Sequence, residues 1–252
     1  MFQFKQFAVA QDRCALKITT DSVLLGAWAA FDAPKTILDI GTGTGVITLM
    51  LAQRYPDAQI TAIDIDTPSA AQAAQNFVNS AWRNRLTAAA ISLQDFVYQG
   101  FKFDAIISNP PYFHNSLRAP DAARNAARHT DELRFDELIA CAAQLLNPNG
   151  QLAVILPTDE SAVLARLAAY ANFHLSSRTS VCFRSSKPAE RRLMLWHYND
   201  GNNDGNNDSN NNNGNDIIKQ KNTDTHLYIH AADSLEYTPE YIALTKDFYL
   251  KM

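Results

Sequence analysis

A glycine-rich turn between two apolar segments limits most strongly what this chain of 252 residues can fold into. Thr36–Ile40 has the apolar run of a buried strand, and Val46–Arg54 has the apolar spacing of a helix. Between them lies the sequence Gly-Thr-Gly-Thr-Gly at 41–45. Glycines let the backbone pass close beneath a nucleoside, and the helix N-terminus presents free N–H groups. The segment therefore predicts the strand–turn–helix unit of a nucleotide-binding α/β fold.

The spacing of these glycines favours one cofactor over another. A dinucleotide-binding turn has the pattern G-x-G-x-x-G, whereas the glycines here are Gly41, Gly43 and Gly45, so that the third comes one residue early. Asp39 stands two residues before the first glycine, where it would repel a pyrophosphate but attract a cationic methionine-type group. The turn therefore favours S-adenosyl-L-methionine over NAD, and hydride transfer is the weakest interpretation.

The tetrapeptide Asn109-Pro110-Pro111-Tyr112 directly follows a second apolar strand, predicted at 103–108. It offers an amide oxygen, a backbone carbonyl stiffened by two prolines, and an aromatic ring. These groups can accept the hydrogens of a planar amine and stack on its ring. The same tetrapeptide can also form a simple turn. Together with the glycine turn, it predicts methyl transfer to a planar amine, with Asn109, Pro110 and Tyr112 as catalytic residues.

Acidic residues follow two further predicted strands. Asp64 ends the run 58–63 and is placed to accept both ribose hydroxyls of an adenosine, while Asp66 is predicted to cap the next helix. Asp95 follows a third strand and is predicted to bind the adenine amine. Each can also be an ordinary helix-entry or loop residue. Ligands of open parallel sheets bind at the carboxyl ends of the strands, and the predicted residues at this edge are Asp39, Asp64, Asp95 and Asn109.

Strands and helices alternate along residues 36–170, and strand-like segments without intervening helices follow. This order predicts an α/β fold with a mostly parallel sheet that is completed by an antiparallel C-terminal strand. We expect one domain over 1–252, with an N-terminal helical or loop extension at 1–35. Within that extension, Asp21 is predicted to cap a helix over 22–31. Residues 199–216 are dominated by Asn, Gly and Asp, and we expect a disordered loop insert there.

Together these motifs resemble the class I methyltransferases, in the subgroup with an N-P-P-Y motif. Segments outside the sheet are similar to the bacterial tRNA (adenine-N6)-methyltransferases that modify adenine 37 of a valine tRNA, and they lie at 4–7, 11–17, 20–21, 24–28, 127–130 and 237–249. The similarity covers nearly the whole chain except the Asn-rich insert. It implies a Rossmann-like, seven-stranded sheet with helices on both faces, S-adenosyl-L-methionine as cofactor, and the tRNA anticodon loop as partner.

The charge balance alone does not indicate an RNA-binding protein. The net charge is −4 and the pI is near 5.8, whereas a nucleic-acid-binding domain is usually basic. Basic residues are nevertheless clustered after the N-P-P-Y motif. We predict that Arg124, Arg128 and His129 contact RNA phosphates or shape the site, and that Phe113 completes the clamp on the base. The later cluster 184–192 is equally consistent with a solvated surface.

Composition sets the remaining expectations. No apolar stretch approaches the roughly 18 residues of a membrane span, and the first residues lack the apolar core of a secretory signal. The three cysteines form no C-x-x-C pair. We therefore expect a cytoplasmic protein with no metal site and no obligate protein partner.

Three other functions are compatible with the motifs. A release-factor N5-glutamine methyltransferase also uses N-P-P-Y, because a glutamine amide is planar, but it usually has an N-terminal helical domain. Other N-P-P-Y amine methyltransferases, such as those acting on DNA adenine, normally add a target-recognition domain. A non-catalytic RNA scaffold that binds S-adenosyl-L-methionine has little need of the amine-binding motif.

Overall fold

The computed structural model describes residues 1–14, 16–111, 133–200 and 223–251. Its strands are β1 (Phe2–Gln3), β2 (Ala8–Val9), β3 (Thr36–Ile40), β4 (Gln59–Asp64), β5 (Leu86–Ala90), β6 (Phe103–Ser108), β7 (Leu146–Pro157), β8 (Phe173–Cys182), β9 (Ala189–Tyr198) and β10 (Thr223–Tyr228). Its α-helices are α1 (Thr20–Trp28), α2 (Val46–Arg54), α3 (Thr67–Val78), α4 (Leu93–Val97), α5 (Phe135–Leu145), α6 (Thr158–Tyr170) and α7 (Pro239–Thr245).

The main sheet has the strand order β5-β4-β3-β6-β7-β9-β8-β10. Neighbouring strands from β5 to β7 are parallel, β9 is antiparallel to both β7 and β8, and β10 pairs parallel with β8. The prediction of a mostly parallel sheet with antiparallel pairing near the C-terminus is confirmed.

The sheet differs from the expected seven strands by one additional edge strand, β10. Its side chains bond to those of β8, because the Thr179 and Thr225 hydroxyls lie 2.8 Å apart and Arg178 forms an ion pair with Asp224. β10 follows the predicted Asn-rich insert, of which residues 201–216 lie outside the described parts of the chain. The strand therefore extends the sheet beyond the seven strands that the resemblance implied.

Two apolar clusters lie on opposite faces of this sheet. Successive residues of a strand point to opposite faces, so Ile37 packs in one cluster with Leu49 of α2, and Leu38 packs in the other with Leu138 of α5. All four side chains are fully buried. Burial on both faces explains why the parallel strands are continuous apolar runs, and it confirms the prediction of helices on both faces.

The N-terminal segment contains more regular structure than the expected helical or loop extension. Strands β1 and β2 pair antiparallel before α1. The prediction that Asp21 caps a helix over 22–31 is wrong, because α1 begins at Thr20 and Thr19 is its N-cap. The Thr19 hydroxyl accepts the Ser22 N–H at 3.3 Å. Asp21 instead lies in the first turn and forms an ion pair with Arg191 at 2.8 Å.

Two further observations concern the class of protein. In the described part of the chain, no helix is both long and apolar enough to cross a membrane. The three cysteines are free thiols, and each of them is buried.

Candidate active site

A cavity of about 440 Å³ lies at the carboxyl ends of β3, β4, β5 and β6. Parallel strands bring these ends to one edge of the sheet, where open α/β sheets bind ligands. Its wall consists of Leu16, Ile40, Gly41, Gly43, Ile63, Asp64, Ile65, Asp66, Ser69, Ile91, Ser92, Leu93, Gln94, Ser108, Asn109, Pro110, Pro111, Leu133, Arg134 and Glu137. The sheet therefore brings together the predicted glycine turn, Asp64 and the N-P-P-Y segment.

The glycine turn contributes Gly41 and Gly43 to this wall, whereas Gly45 is not among the lining residues. Gly45 is the N-cap of α2 and has a φ of 80°, in the left-handed region that favours glycine. A Cβ atom there would lie 2.5 Å from Cε1 of Phe77. Gly45 thus permits close packing of the turn against α3, and its place in the sequence pattern reflects packing and not contact with the cavity.

Asp64 lies on the cavity wall at the end of β4. Its Oδ2 accepts the Gly43 N–H at 2.8 Å, and its Oδ1 accepts the Asp66 N–H at 2.9 Å. Partial burial raises the pKa of Asp64, although these two hydrogen bonds act in the opposite direction. Each carboxylate oxygen can accept a further hydrogen bond. The side chain is therefore fixed in place with acceptor capacity to spare.

The neighbouring Asp66 has the helix-capping role that was predicted for it. It is the N-cap of α3, and its Oδ2 accepts the Ser69 N–H at 2.9 Å. Pro68 lies in the first turn of the helix, where its missing N–H has no cost.

Asp39 is completely buried beneath the glycine turn and is not one of the residues lining the cavity. Its Oδ2 accepts the hydroxyl hydrogens of Thr42 and Thr48, each at 2.7 Å. Its Oδ1 is buried and has no hydrogen-bond partner among the described residues. Burial raises the pKa of Asp39 to about 6, with the two threonine hydrogen bonds opposing the rise. The carboxylate thus has one satisfied oxygen and one unsatisfied oxygen.

Asn109 lies on the cavity wall one residue beyond β6. The preceding Ser108 hydroxyl donates to the Ile40 carbonyl at 2.9 Å, which joins the ends of β6 and β3. The Asn109 Oδ1 is buried and accepts no hydrogen bond from the described residues. Pro110 and Pro111 continue the wall. A buried amide oxygen of this kind is costly unless a ligand donates to it.

Five residues predicted for the substrate side lie outside the described parts of the chain. They are Tyr112, Phe113, Arg124, Arg128 and His129.

Asp95, which was predicted to bind the adenine amine, is exposed and is not among the residues that line the cavity. β5 ends at Ala90 and not at residue 93, because Ser92 is the N-cap of α4. The Asp95 N–H donates to the Ser92 Oγ at 3.1 Å, and the Ser92 hydroxyl donates to the Asp95 carboxylate at 2.7 Å. The residues that do line the cavity here are Ile91, Ser92, Leu93 and Gln94.

Several wall residues were not anticipated from the sequence. Glu137 of α5 accepts the Gln94 side-chain N–H at 3.1 Å and the Arg134 backbone N–H at 3.3 Å. The spacing S-x-x-D at 92–95 is a helix-start signature and would have placed Ser92 and Gln94 at this edge. By contrast, no sequence pattern identifies Leu16, which reaches the cavity from the N-terminal segment.

The cavity residues fit S-adenosyl-L-methionine. The volume is within the range of roughly 300–1,000 Å³ found for small-molecule sites, and Ile63, Ile65 and Ile91 provide apolar surface for a flat ring. Asp64 has acceptor capacity for ribose hydroxyls. The unsatisfied Oδ1 of Asp39 adds a buried acceptor beneath the same turn, which suits a cationic group.

The sheet order, the glycine turn and this cavity define a class I methyltransferase. The family described as "Methyltransferase small domain" matches residues 19–169. A predicted O-methyltransferase from Agrobacterium tumefaciens is similar in structure, with a TM-score of 0.65 and 20% identity over 90% of this chain and 96% of that one. TrmN from Thermus thermophilus has a TM-score of 0.51 and 20% identity over 71% of this chain and 48% of that one. These two structures show the fold alone.

Full-length relatives define the family more narrowly. A tRNA1(Val) (adenine(37)-N6)-methyltransferase of Bacteroides fragilis (strain YCH46) is 40% identical over 100% of this chain and 98% of its own length. Proteins with the same name from Phocaeicola vulgatus and Vibrio parahaemolyticus are 42% and 37% identical over 100% of this chain and 98% and 96% of their own lengths. The chain belongs to the family of tRNA1(Val) (adenine(37)-N6)-methyltransferases.

Proposed function

We propose that this chain transfers a methyl group from S-adenosyl-L-methionine to N6 of adenine 37 in a valine tRNA, within the anticodon loop. The reaction rests on one observation above all, the buried Asn109 Oδ1, which accepts no hydrogen bond from the described residues and lies on the same cavity wall as Asp64. The tRNA substrate is supported by the names of the full-length relatives.

The amine-binding residues orient the nucleophile. S-adenosyl-L-methionine, when bound, supplies an electrophilic methyl group. An adenine amine is a poor nucleophile, because its lone pair is delocalised into the ring. The Asn109 Oδ1 accepts one amine hydrogen and the Pro110 carbonyl accepts the other, which turns the lone pair out of conjugation. Orientation and fixed dipoles then lower the barrier. No strong base is required, since the methylated ammonium product loses its proton readily.

The base must leave its stack to reach this site, as base-modifying enzymes require. A loop adenine is extruded at less cost than a paired one. In the proposal Tyr112 stacks on the extruded ring and Phe113 completes the clamp. Arg124, Arg128 and His129 contact phosphates and thereby position the RNA without reading its sequence.

The predicted cofactor-binding residues form two groups, those that act on the cofactor itself and those that act through neighbouring residues. Asp64 accepts the ribose hydroxyls, Gly41 and Gly43 let the backbone approach the nucleoside, and Asp39 attracts the cationic methionine end. Two predicted cofactor ligands act indirectly. Asp95 orients Ser92 through their mutual hydrogen bonds, and Gly45 allows the turn to pack on α3.

We also propose that residues 1–252 form one methyltransferase unit that acts in the cytoplasm without an obligate protein partner. Contacts between the two ends of the chain support a single unit. The Lys5 N–H donates to the Phe248 carbonyl at 2.8 Å, and the rings of Phe4 and Tyr249 stack with centroids 5.9 Å apart. Three buried free thiols suit a reducing compartment.

The test is methyl transfer from labelled S-adenosyl-L-methionine to a valine tRNA transcript, followed by nucleoside analysis. A transcript with guanine in place of adenine 37 serves as the matched control. The proposal expects N6-methyladenosine in the first transcript and none in the control. Label in a release-factor glutamine instead would make the chain a glutamine methyltransferase. Cofactor binding without transfer to any substrate would favour the scaffold.

A further inference from the structure

A second cavity, of about 230 Å³, lies outside the site described above. It is enclosed by α1, α7, the segments that follow β8 and β10, and the start of β9. Its lining includes the aromatic residues Phe183, His230, Tyr237 and Tyr241 and the charged residues Asp21, Glu190 and Arg191.

Three aromatic rings, His230, Tyr237 and Tyr241, stack along this cavity, and the ring of Phe183 contacts His230 at a tilt of 57°. The centroids of Phe183 and His230 are 4.7 Å apart, those of His230 and Tyr237 are 5.0 Å apart, and those of Tyr237 and Tyr241 are 4.9 Å apart. Tyr241 is buried at one end, whereas Tyr237 is 44% exposed and Phe183 is 41% exposed. Phe183 and Tyr237 therefore keep aromatic surface that a planar ligand can reach.

The polar groups of the cavity suit a nucleobase better than a phosphate. Asp21 and Glu190 place two carboxylates among the lining residues, against the guanidinium of Arg191. Arg191 already forms the ion pair with Asp21. A free anion would meet a negative balance here. The amino and imino hydrogens of a base would instead find acceptors, and its ring would find the aromatic stack.

Besides Arg191, which is paired with Asp21, further positive charge lies beside the cavity. Arg184 lies over the Phe183 ring, with its Cζ 5.7 Å from the centroid. Lys187 is exposed in the same turn between β8 and β9. The Nε atoms of Arg184 and Arg192 are buried, and neither donates a hydrogen bond to any described residue. Base stacking combined with adjacent cations is the usual chemistry of single-stranded nucleic-acid binding.

The cavity also lies at the same sheet edge as the methyl-transfer site. β8 ends at Cys182 and β9 begins at Ala189, so both reach the edge at which β6 ends with Ser108. Two strands, β7 and β9, separate β6 from β8. With neighbouring strands about 4.8 Å apart, the end of β8 lies about 15 Å from the end of β6, at which Asn109 follows. A few nucleotides of an unpaired loop can span that distance.

We propose that this cavity is a subsite for an unpaired base of the RNA substrate, a few nucleotides from the methylated adenine. The base packs on the exposed part of the Phe183 ring, beside the exposed part of Tyr237, and Arg184 and Lys187 contact the adjoining phosphates. This subsite rests on the proposed RNA function, and it assigns a role to the basic cluster 184–192, for which the sequence also allowed a solvated surface.

The test compares Phe183→Ala with Tyr170→Ala, which truncates a 90% exposed tyrosine at the far end of α6. Each variant is assayed for methyl transfer to the valine tRNA transcript and for cofactor affinity by calorimetry. Loss of one base stack predicts a rise in KM for RNA of about fivefold to a hundredfold. The cofactor Kd of Phe183→Ala should be unchanged. Phe183→Tyr keeps the ring and should therefore have a near-normal KM for RNA.

Transcripts with an abasic site at each loop position near adenine 37 then identify the bound base. One such position should raise KM in the wild-type enzyme but have no further effect in Phe183→Ala. Equal KM values for Phe183→Ala and Tyr170→Ala, in an enzyme that methylates the RNA, would overturn the subsite alone. A wild-type enzyme that neither binds nor methylates the RNA would overturn the proposed function together with the subsite.

Discussion

Replacing Asp39 with asparagine tests whether a buried charge is kept for cofactor binding at the expense of stability. The ordinary pKa of this carboxyl is 3.8, and burial raises it to about 6. That difference corresponds to about 3 kcal/mol at neutral pH. Because the pKa is higher in the folded state, Asp39 is protonated in the folded protein but ionised in the unfolded chain between about pH 4 and pH 6. Stability from this group is therefore lost as the pH rises from about 4 to about 6.

Asp39→Asn retains an oxygen that can accept from Thr42 and Thr48, but it places an amide where the unsatisfied Oδ1 lies. The unpaired amide costs about 1–3 kcal/mol at any pH. The change of stability with pH is therefore the clean signature. Between about pH 5 and pH 7.5 the variant should gain roughly 1 to 2 kcal/mol relative to the wild type. Urea unfolding of the two unliganded proteins at both pH values measures this gain.

Whereas Asp39→Asn should gain stability relative to the wild type as the pH rises, it should bind the cofactor more weakly. Loss of the attraction between this buried charge and the cationic end of the cofactor predicts a Kd for S-adenosyl-L-methionine that is about tenfold to a hundredfold higher at pH 7.5. The wild-type Kd should also improve as the pH rises through about 6, whereas the variant Kd should not. An Asp39→Asn protein that gains no stability with pH, or that binds the cofactor as tightly as the wild type, would refute the reasoning.

Three further predictions concern the cofactor side of the cavity. Gly45→Ala should lower the free energy of unfolding by about 3 kcal/mol in urea titrations, because a Cβ at a φ of 80° would meet the Phe77 ring at 2.5 Å. Equal stability of the two proteins would show that the contact relaxes freely. Asp64→Asn should raise the cofactor Kd about tenfold in calorimetry with little change in kcat at saturation, and a lower kcat at unchanged Kd would contradict its ribose role. Thr48→Val removes a hydrogen bond to Asp39 and should move the pH midpoint of cofactor binding above about 6, whereas Thr48→Ser should not. Identical midpoints in both variants would count against Asp39 as the group that titrates.

Local sequence patterns were sufficient for the frame of the site. The glycine turn, Asp64, Asp66 and the N-P-P-Y segment each directly follow an apolar run that forms a strand. Parallel pairing then brings these strand ends to one edge. Chain order and strand chemistry alone therefore determine that Asp64 and Asn109 share a cavity wall.

The predicted helix cap at Asp21 was wrong because another side chain could accept the same N–H. Asp21 resembles a helix cap, but Thr19 reaches the free N–H first, and Asp21 pairs with an arginine 170 residues away. Asp95 also follows a strand and hydrogen-bonds with Ser92 at the start of α4, so its contact with the adenine amine stays a prediction. Contacts of long sequence separation, such as Leu16 on the cavity wall, leave no local pattern to detect.

Single-turnover methyl transfer by Asn109→Ala, with cofactor affinity measured on the same preparation, shows whether Asn109 binds the adenine amine. Asn79→Ala is the matched control, because Asn79 is an exposed residue at the end of α3. We expect Asn109→Ala to lose transfer by about a hundredfold or more, as when a fixed transition-state contact is removed, while the cofactor Kd stays close to that of the control. Transfer at the control rate, or loss of cofactor binding in a folded Asn109→Ala protein, would contradict the role of Asn109 as acceptor for the adenine amine.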